Sequence, residues 1–147
     1  MNKKITITLI IIVLFIIGTL GISFLTNNVY NTDFKVLDDL SNLNNEKNSI
    51  LENENNKFYN YEINNEKYIV FKIVKFTYNS SIDIKSVKLT NVNYSGEILN
   101  IELKVNVKEG KPDSLRDWPL QDKKYIIMKV KNNIEKLYVD GFEYNKI

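Results

Sequence analysis

The sequence predicts a mainly β domain, an antiparallel sheet or small sandwich of five to six strands, preceded by one or two short helices and an N-terminal transmembrane helix. Three observations support this prediction. Residues 5–25 carry no charge, the segment 97–107 alternates strictly between apolar and polar side chains from Leu99 to Val107, and β-branched and aromatic residues are dense after residue 67. Strict alternation places every second side chain on one face of a strand, so such a strand has one buried and one solvated face.

Residues 1–26 are predicted to be a signal anchor. The 21 uncharged residues 5–25 would span about 31 Å as a helix, which matches the roughly 30 Å hydrocarbon core of a bilayer. The chain contains no Ala, so it lacks the usual small-x-small motif at which a signal peptide is cleaved. We therefore expect this helix to stay in the bilayer, which it contacts through residues such as Ile5, Ile11, Phe15, Leu20 and Leu25. The alternative is a signal peptide that is cleaved near residues 21–23.

The charges that flank the apolar stretch predict its orientation. Lys3 and Lys4 precede it, and the next charged residues are Asp33 and Lys35, with no excess of basic residues. Because basic residues favour the cytoplasmic side, the N-terminus is expected in the cytoplasm and the C-terminal part outside it. The sequence thus predicts a single-pass protein of the cell membrane.

The composition of the exported part excludes some kinds of partner. Lys3 and Lys4 belong to the 20 basic residues of the chain, so 18 basic residues remain beside 18 acidic residues, all of which follow residue 26. A segment with no formal net charge does not have the electrostatic signature of nucleic acid binding. About 120 residues suffice for one domain, which must be stabilised without disulfides because the chain has no Cys.

Residues 27–66 are predicted to form a polar tether that contains a short strand and one or two short helices. Asn and charged residues are dense in this range. Leu37, Leu40 and Leu51 fit a helical stripe that residues 44–48 interrupt, so residues 33–36 are expected to be extended and one or two short helices to lie between residues 38 and 53. The alternative is a flexible tether that holds the following domain off the membrane.

The β-rich domain is predicted to begin at residue 67. The run 67–77, KYIVFKIVKFT, is typical of a mostly buried strand, and residues 79–81 are expected to form a turn. Residues 82–92 alternate, but Ile82 and Ile84 are on the opposite phase from Val87 and Leu89, which indicates a bulge near Lys85 or Ser86.

The remaining strands follow in sequence with short connections. Residues 93–96 are expected to form a hairpin turn, with Gly96 free to adopt positive φ, before the alternating strand 97–107. Strands are also expected at residues 124–130 and 134–139, and a turn at Asp140-Gly141 before the last segment, 142–147. Crossover helices for a parallel α/β fold are missing.

Residues 109–123 are predicted to form one long loop that binds a partner. They include both prolines, the only Trp and the only Arg of the chain, and Trp and Arg are enriched where binding energy concentrates in interfaces. The alternative is that the Trp ring folds back and caps the sheet. The residues predicted to bind the partner are Arg116, Trp118, Pro119 and Leu120.

The residue types argue against an enzyme. Without His and Cys the chain has neither the commonest general base nor a thiol nucleophile, and it lacks the usual zinc ligands. A carboxylate pair at Asp113 and Asp117 would still allow acid–base chemistry, but loop carboxylates usually serve turns. Asp38 and Asp39 are interpreted as charges at a helix start rather than a calcium site. We expect no cofactor and no metal.

The order of these elements resembles the PrcB-like subunits of bacterial protease complexes. The segment Asp33-Phe34-Lys35-Val36-Leu37 is similar to the start of that family's pattern. Four later segments resemble its successive strands, although the family's Gly-Gly-Tyr turn is replaced here by Tyr78-Asn79-Ser80. These segments are residues 68–71, 81–87, 99–105 and 124–130. The resemblance covers about residues 34–141 and implies an exported, non-catalytic accessory domain.

Together these observations predict a membrane-anchored extracytoplasmic binding domain that contacts an envelope protein such as a protease complex. Two alternatives remain at this point. One is a cell-wall or glycan-binding module, which should present several exposed Tyr or Trp on one face. The other is a small hydrolase that depends on Asp113 and Asp117.

Overall fold

The computed structural model describes residues 33–43, 45–78, 80–111 and 119–147. Strands make up 65% of these residues, which confirms the mainly β class. Within these ranges no helix is long and apolar enough to cross a bilayer. The predicted anchor, with Ile5, Ile11, Phe15, Leu20 and Leu25, lies outside the described residues.

The residues that the structure describes form eight strands and one helix. The elements in chain order are β1 (Phe34–Leu37), α1 (Asn48–Asn53), β2 (Lys57–Ile63), β3 (Glu66–Thr77), β4 (Ile82–Ser95), β5 (Ile98–Glu109), β6 (Leu120–Val130), β7 (Lys136–Val139) and β8 (Phe142–Lys146). The sheet order is β1-β6-β3-β2-β8-β7-β5-β4. β4, at one edge, also lies beside β6, so the sheet curls until it is nearly closed.

Three two-residue turns set the register of the antiparallel hairpins. Asn64 and Asn65 have φ of 52° and 63° between β2 and β3, and Asp140 and Gly141 have φ of 52° and 82° between β7 and β8. Positive φ at both central positions matches the right-handed twist of the flanking strands. Gly96, with φ of 63°, begins the turn between β4 and β5, as its sequence position predicted.

The structure differs in two respects from the predicted antiparallel sheet or small sandwich of five to six strands. The described residues form eight strands in one sheet, and β2–β8 and β5–β7 are parallel pairs. Parallel pairing joins strands that are distant in the chain, so the local turn pattern carries no sign of it. The sheet is therefore mixed.

The sequence left residues 57–63 in the polar tether, but they form β2. This strand lies inside the sheet between β3 and β8, and Phe58 and Tyr59 are fully buried. β1 pairs with β6 from Phe34↔Met128 to Leu37↔Tyr125, which confirms the expected extended segment. Both strands belong to the same sheet as the residues after 67.

Two apolar clusters lie on opposite faces of the sheet. The interior core fills the space inside the curled sheet and includes Phe58, Phe71, Leu99, Ile126 and Met128. The outer cluster covers the other face of β3 and β6 and is formed by Leu40, Leu51, Tyr59, Val70 and Tyr125. Leu51 is the buried residue of α1, so this short helix packs on the sheet.

Hydrogen bonds tie α1 and the chain before it to the sheet. The Tyr59 hydroxyl donates to Asn48 Oδ1 at 2.6 Å, and Asn48 Nδ2 donates to the carbonyl of Leu40 at 3.3 Å. Lys72, only 4% exposed, donates from Nζ to the carbonyl of Glu52 at 2.9 Å. This ammonium therefore satisfies a carbonyl at the end of α1, where positive charge is favourable.

The predicted bulge in β4 is confirmed. The register between β4 and β5 shifts between Ile84 and Ser86, and it shifts again between Leu89 and Asn91. Between the two shifts Val87 is buried and Lys88 is exposed, so the bulge restores the apolar residues of β4 to the interior side. The second bulge was not predicted.

Candidate partner-binding surface

Several strand ends meet at one end of the sheet, which we call the apical end. Thr77 of β3 pairs with Leu120 of β6, and Ile82 of β4 pairs with Glu109 of β5. The turn between β7 and β8 lies at the same end, because Phe142 and Lys75 line one cavity there. The segment from residue 110 to residue 119 thus starts and finishes at the apical end.

Exposed apolar side chains are concentrated at this end. Phe76 is 54% exposed, Tyr78 74%, Val107 41% and Phe142 69%. Three other large apolar residues of the described ranges are exposed elsewhere, namely Val36, Ile50 and Ile63. Side chains alternate between faces along a strand, so Phe76 lies on the outer face with Val70, whereas Phe142 lies on the face of the interior core with Tyr144. Exposed large apolar residues are typical of interaction sites.

A cavity of about 340 Å³ opens at the apical end between β3, β5 and the β7–β8 hairpin. Its lining includes the apolar side chains of Ile73, Val105 and Val139 together with Tyr144. Burial raises the pKa of Tyr144 to about 12, and its ring meets Phe71 edge-on with centroids 5.8 Å apart. Asn56, Lys75 and Asp140 also line the cavity, so its lining is mixed, and its apolar part is continuous with the interior core.

The β7–β8 turn is fixed in place beside this cavity. Asp140 Oδ1 accepts a hydrogen bond from the backbone N–H of Leu103 at 2.7 Å, and the Asp140 N–H donates to the carbonyl of Ile101 at 2.9 Å. These bonds attach the turn to β5. Phe142, the first residue of β8, is thus exposed at the rim next to a turn that Asp140 attaches to β5.

The structure describes two of the four residues predicted to bind a partner. Pro119 is exposed, and Leu120 is half-buried as the first residue of β6. The prediction of a single loop over residues 109–123 was wrong at its ends, because β5 continues to Glu109 and β6 begins at Leu120. Arg116 and Trp118 lie outside the described residues, as do Asp113 and Asp117 of the hydrolase alternative.

The apical end also contains residues that the sequence analysis did not select. Phe142 directly follows the predicted turn Asp140-Gly141, and Tyr78 follows the apolar run of β3. A large apolar side chain next to a turn has few neighbours that could cover it. The position of these residues in the sequence could therefore have indicated that they are exposed. The sequence around Phe76 contains no such signal, because the face of the sheet on which Phe76 lies is known only from the pairing of β3.

Asp38 and Asp39 do not start a helix, which corrects their interpretation. α1 begins ten residues after Asp38, at Asn48. Asp38 pairs with Lys124, its Oδ1 lying 2.5 Å from Nζ, and Asp39 accepts hydrogen bonds from the backbone N–H and the hydroxyl of Ser41. Both bonds lower the pKa of Asp39, and the bond from the hydroxyl contributes more than the bond from the N–H. A carboxylate in such a turn already accepts hydrogen bonds from the adjacent chain.

Other perturbed groups in the described ranges have structural causes. Burial, and then the nearby charge of Lys123, lowers the pKa of Lys72, whose ammonium is bound to the Glu52 carbonyl. Across the described ranges no three Asp or Glu side chains come together in a way that could hold a metal ion. The apical end is therefore described by its apolar surface and cavity, a geometry suited to binding.

Comparisons of the chain with protein-family models, with curated proteins and with solved structures found no match.

Proposed function

We propose that the chain is a single-pass membrane protein whose β domain is a non-catalytic extracytoplasmic binding module. Its partner is an envelope protein, such as a protease complex. The observation that carries this proposal is the concentration of Phe76, Tyr78, Val107 and Phe142 at the apical end. Phe142 and Tyr144 line the apical cavity, and exposed aromatic residues provide the anchor points that protein interfaces use.

The position of the first described residue supports this arrangement. The carbonyl of Asp33 accepts a hydrogen bond from the N–H of Lys129 at 2.9 Å, whereas the apical end begins at Leu120 of the same strand. At about 3.3 Å per residue, nine residues of β6 separate these points by roughly 30 Å. The chain therefore enters the domain at the end opposite the apical end, and a partner there would not compete with the incoming chain.

The membrane location rests on the sequence of residues 1–26. The uncharged stretch 5–25 follows Lys3 and Lys4, and both features favour a retained anchor with a cytoplasmic N-terminus. The β domain would thus lie on the extracytoplasmic side of the membrane.

The protease complex as the partner class comes from the resemblance to PrcB-like subunits. The segments that carry it form β1, parts of β3, β4 and β5, and most of β6. The lack of His and Cys in the sequence supports an accessory role rather than a catalytic one. The hydrolase alternative requires that Asp113→Ala or Asp117→Ala abolish an activity of the full chain.

Photocrosslinking in intact cells tests this proposal. A photoreactive phenylalanine analogue placed at Phe142 or Tyr78 should join the chain to one envelope protein, and the same analogue at Ile50, which is 39% exposed on α1, is the matched control. The product formed from Tyr78 should disappear in the Phe142→Ser variant. Equal crosslinking from Ile50, or an unchanged product in Phe142→Ser, would remove the apical end as the binding surface.

A further inference from the structure

We propose that a groove at the opposite end of the outer face is a second binding site, whose ligand is an uncharged saccharide. The groove has a volume of about 280 Å³, and its lining residues come from β1, β2, β3, β6 and the segment before α1. It lies where the chain enters the domain. The proposal does not depend on the function proposed for the apical end, since the two surfaces share no residue.

Strand pairing explains why aromatic rings lie in this groove. Tyr61 of β2 is directly opposite Tyr68 of β3, and Tyr68 is in turn opposite Lys129 of β6. Side chains directly opposite each other lie on the same face of a sheet. The two tyrosines are therefore neighbours on the outer face, and both are half-buried.

Apolar side chains lie beside the two rings. Leu43, Ile63 and Ile127 are part of the lining, and Ile63 is 46% exposed. Leu43 belongs to the segment between β1 and α1, so this segment walls the groove on one side. A shallow apolar site with tyrosine rings suits the face of a sugar ring that presents C–H groups, because both surfaces are apolar with polar atoms at their edges.

Polar groups with unused hydrogen-bonding capacity surround these rings. Asp33 and Lys35 line the groove, and neither side chain has an ion pair or a hydrogen bond within the described ranges. The same holds for the Tyr61 hydroxyl, although its ring meets Tyr59 edge-on. The groove thus offers an acceptor, a donor and a group that does both, which is the set that sugar hydroxyls require.

The ion pair between Glu66 and Lys129 helps to hold the Tyr68 ring in place. The Tyr68 hydroxyl donates to Glu66 Oε2 at 2.7 Å, and Lys129 pairs with the same carboxylate. The bonds from Lys129 and Tyr68 lower the pKa of Glu66, so this carboxylate stays charged and continues to hold the ring. A ring positioned before the ligand arrives loses little conformational freedom on binding.

The charges around the groove favour an uncharged saccharide over other ligands that bind to aromatic grooves. Two carboxylates, Asp33 and Glu66, and two ammonium groups, Lys35 and Lys129, leave no formal excess charge around the groove. An anionic lipid headgroup would require a basic excess. A proline-rich peptide also binds to aromatic grooves, but it presents few groups that could use the free donor and acceptors at Asp33, Lys35 and Tyr61.

Calorimetric titration of the full chain in lipid nanodiscs tests the proposal. The probes are an N-acetylglucosamine tetramer and cellotetraose, and alkyl-maltoside detergents are avoided because their sugars would compete. We expect binding of one of the probes that weakens about tenfold in Tyr61→Ala, since an aromatic contact contributes on the order of one tenfold step. Tyr78→Ala, at an exposed ring of the apical end, should bind as the wild type does.

Two further variants keep the test decisive if Tyr61→Ala does not fold. Asp33 and Lys35 are exposed, so Asp33→Ala and Lys35→Ala should fold and should each weaken saccharide binding several-fold. Tyr61→Phe should retain more affinity than Tyr61→Ala because it keeps the ring. Absence of saccharide binding up to about 10 mM would overturn the proposal. Equal binding in the wild type and these variants would also overturn it, as would a proline-rich peptide that binds in place of both saccharides.

Discussion

Asp122 accepts a hydrogen bond from the backbone N–H of Ile84, with Oδ2 2.5 Å from the nitrogen, and this bond joins β6 to β4 across the edge where the sheet fails to close. Ile84 is 3% exposed and lies next to the first bulge of β4. A side chain thus supplies the acceptor that a neighbouring strand would otherwise provide. Buried backbone N–H groups require such a partner.

Replacing Asp122 should therefore weaken the closure of the sheet. In Asp122→Ala the Ile84 N–H loses its acceptor, and an unsatisfied buried donor costs about 1–3 kcal/mol of unfolding free energy. Urea unfolding followed by circular dichroism measures this loss. Asp83→Ala is the control, because Asp83 forms only an exposed ion pair with Lys85 and its loss should have little effect. Equal stability of the Asp122→Ala variant and the wild type would contradict the role of this bond.

Packing of α1 against the sheet gives a second prediction. Leu51 is fully buried in the outer cluster, whereas its neighbour Ile50 is 39% exposed. Leu51→Ala should lower the unfolding free energy by about 2–5 kcal/mol, and Ile50→Ala should change it by no more than about 0.5 kcal/mol. Similar small losses in both variants would support a flexible tether in place of a packed helix.

Burial of Tyr144 predicts a loss of stability at alkaline pH. Its pKa is raised to about 12 in the folded protein, while an unfolded tyrosine has a pKa of about 10. Between these values the unfolded state releases the proton first, so the unfolding free energy falls as pH rises. Urea unfolding at several pH values between 9 and 12 should show a smaller fall in Tyr144→Phe.

Tyr78→Phe is the matched control for that series, because Tyr78 is 74% exposed. Tyr59 has a pKa that burial also raises to about 12, so part of the alkaline fall should persist in Tyr144→Phe. The explanation fails if Tyr144→Phe and Tyr78→Phe show the same pH dependence.

The turn before Phe142 gives a fourth prediction. Gly141 has φ of 82°, and a Cβ added there would meet no atom within 4 Å, so a substitution acts through the backbone alone. Gly141→Ala should cost about 1 kcal/mol of unfolding free energy, and Gly141→Asn should cost less because Asn tolerates positive φ. Thermal unfolding would disagree with this account if Asn were the more damaging of the two.

Local patterns in the sequence predicted the elements with strong periodicity. The alternation of residues 97–107 became β5, with Leu99 and Ile101 buried and Asn100 and Glu102 exposed. The change of phase between Ile84 and Val87 located the first bulge. Both features depend only on neighbouring residues, which is why they could be predicted.

β2 could not be predicted in the same way. Its apolar residues Phe58, Tyr59 and Tyr61 lie among Asn, Lys and Glu, and the preceding thirty residues, 27–56, are similarly rich in Asn and charged residues. The strand is stabilised by its position between β3 and β8, and the parallel pair with β8 joins residues almost ninety positions apart. Such tertiary pairing overrides local propensity.

The candidate sites were predicted only in part for a similar reason. The sequence identified a loop that begins and ends at the apical end, but it did not show that Phe76 and Phe142 reach the same end from strands far apart in the chain. The Tyr61–Tyr68 pair likewise depends on the register of β2 with β3. Sites built across strands require the pairing, which the sequence did not give.

Labelling of single cysteines in intact cells is the most direct test of the central claim, an exported domain held at the membrane by residues 5–25. The chain has no Cys of its own, so each introduced thiol is unique. With a membrane-impermeant maleimide, Asn93→Cys, at an exposed position of β4, should be labelled in intact cells and Asn2→Cys only after lysis. Both should be recovered at full length in the membrane fraction. Labelling of Asn2→Cys in intact cells, protection of Asn93→Cys, or release of a shortened chain into the medium would contradict the account.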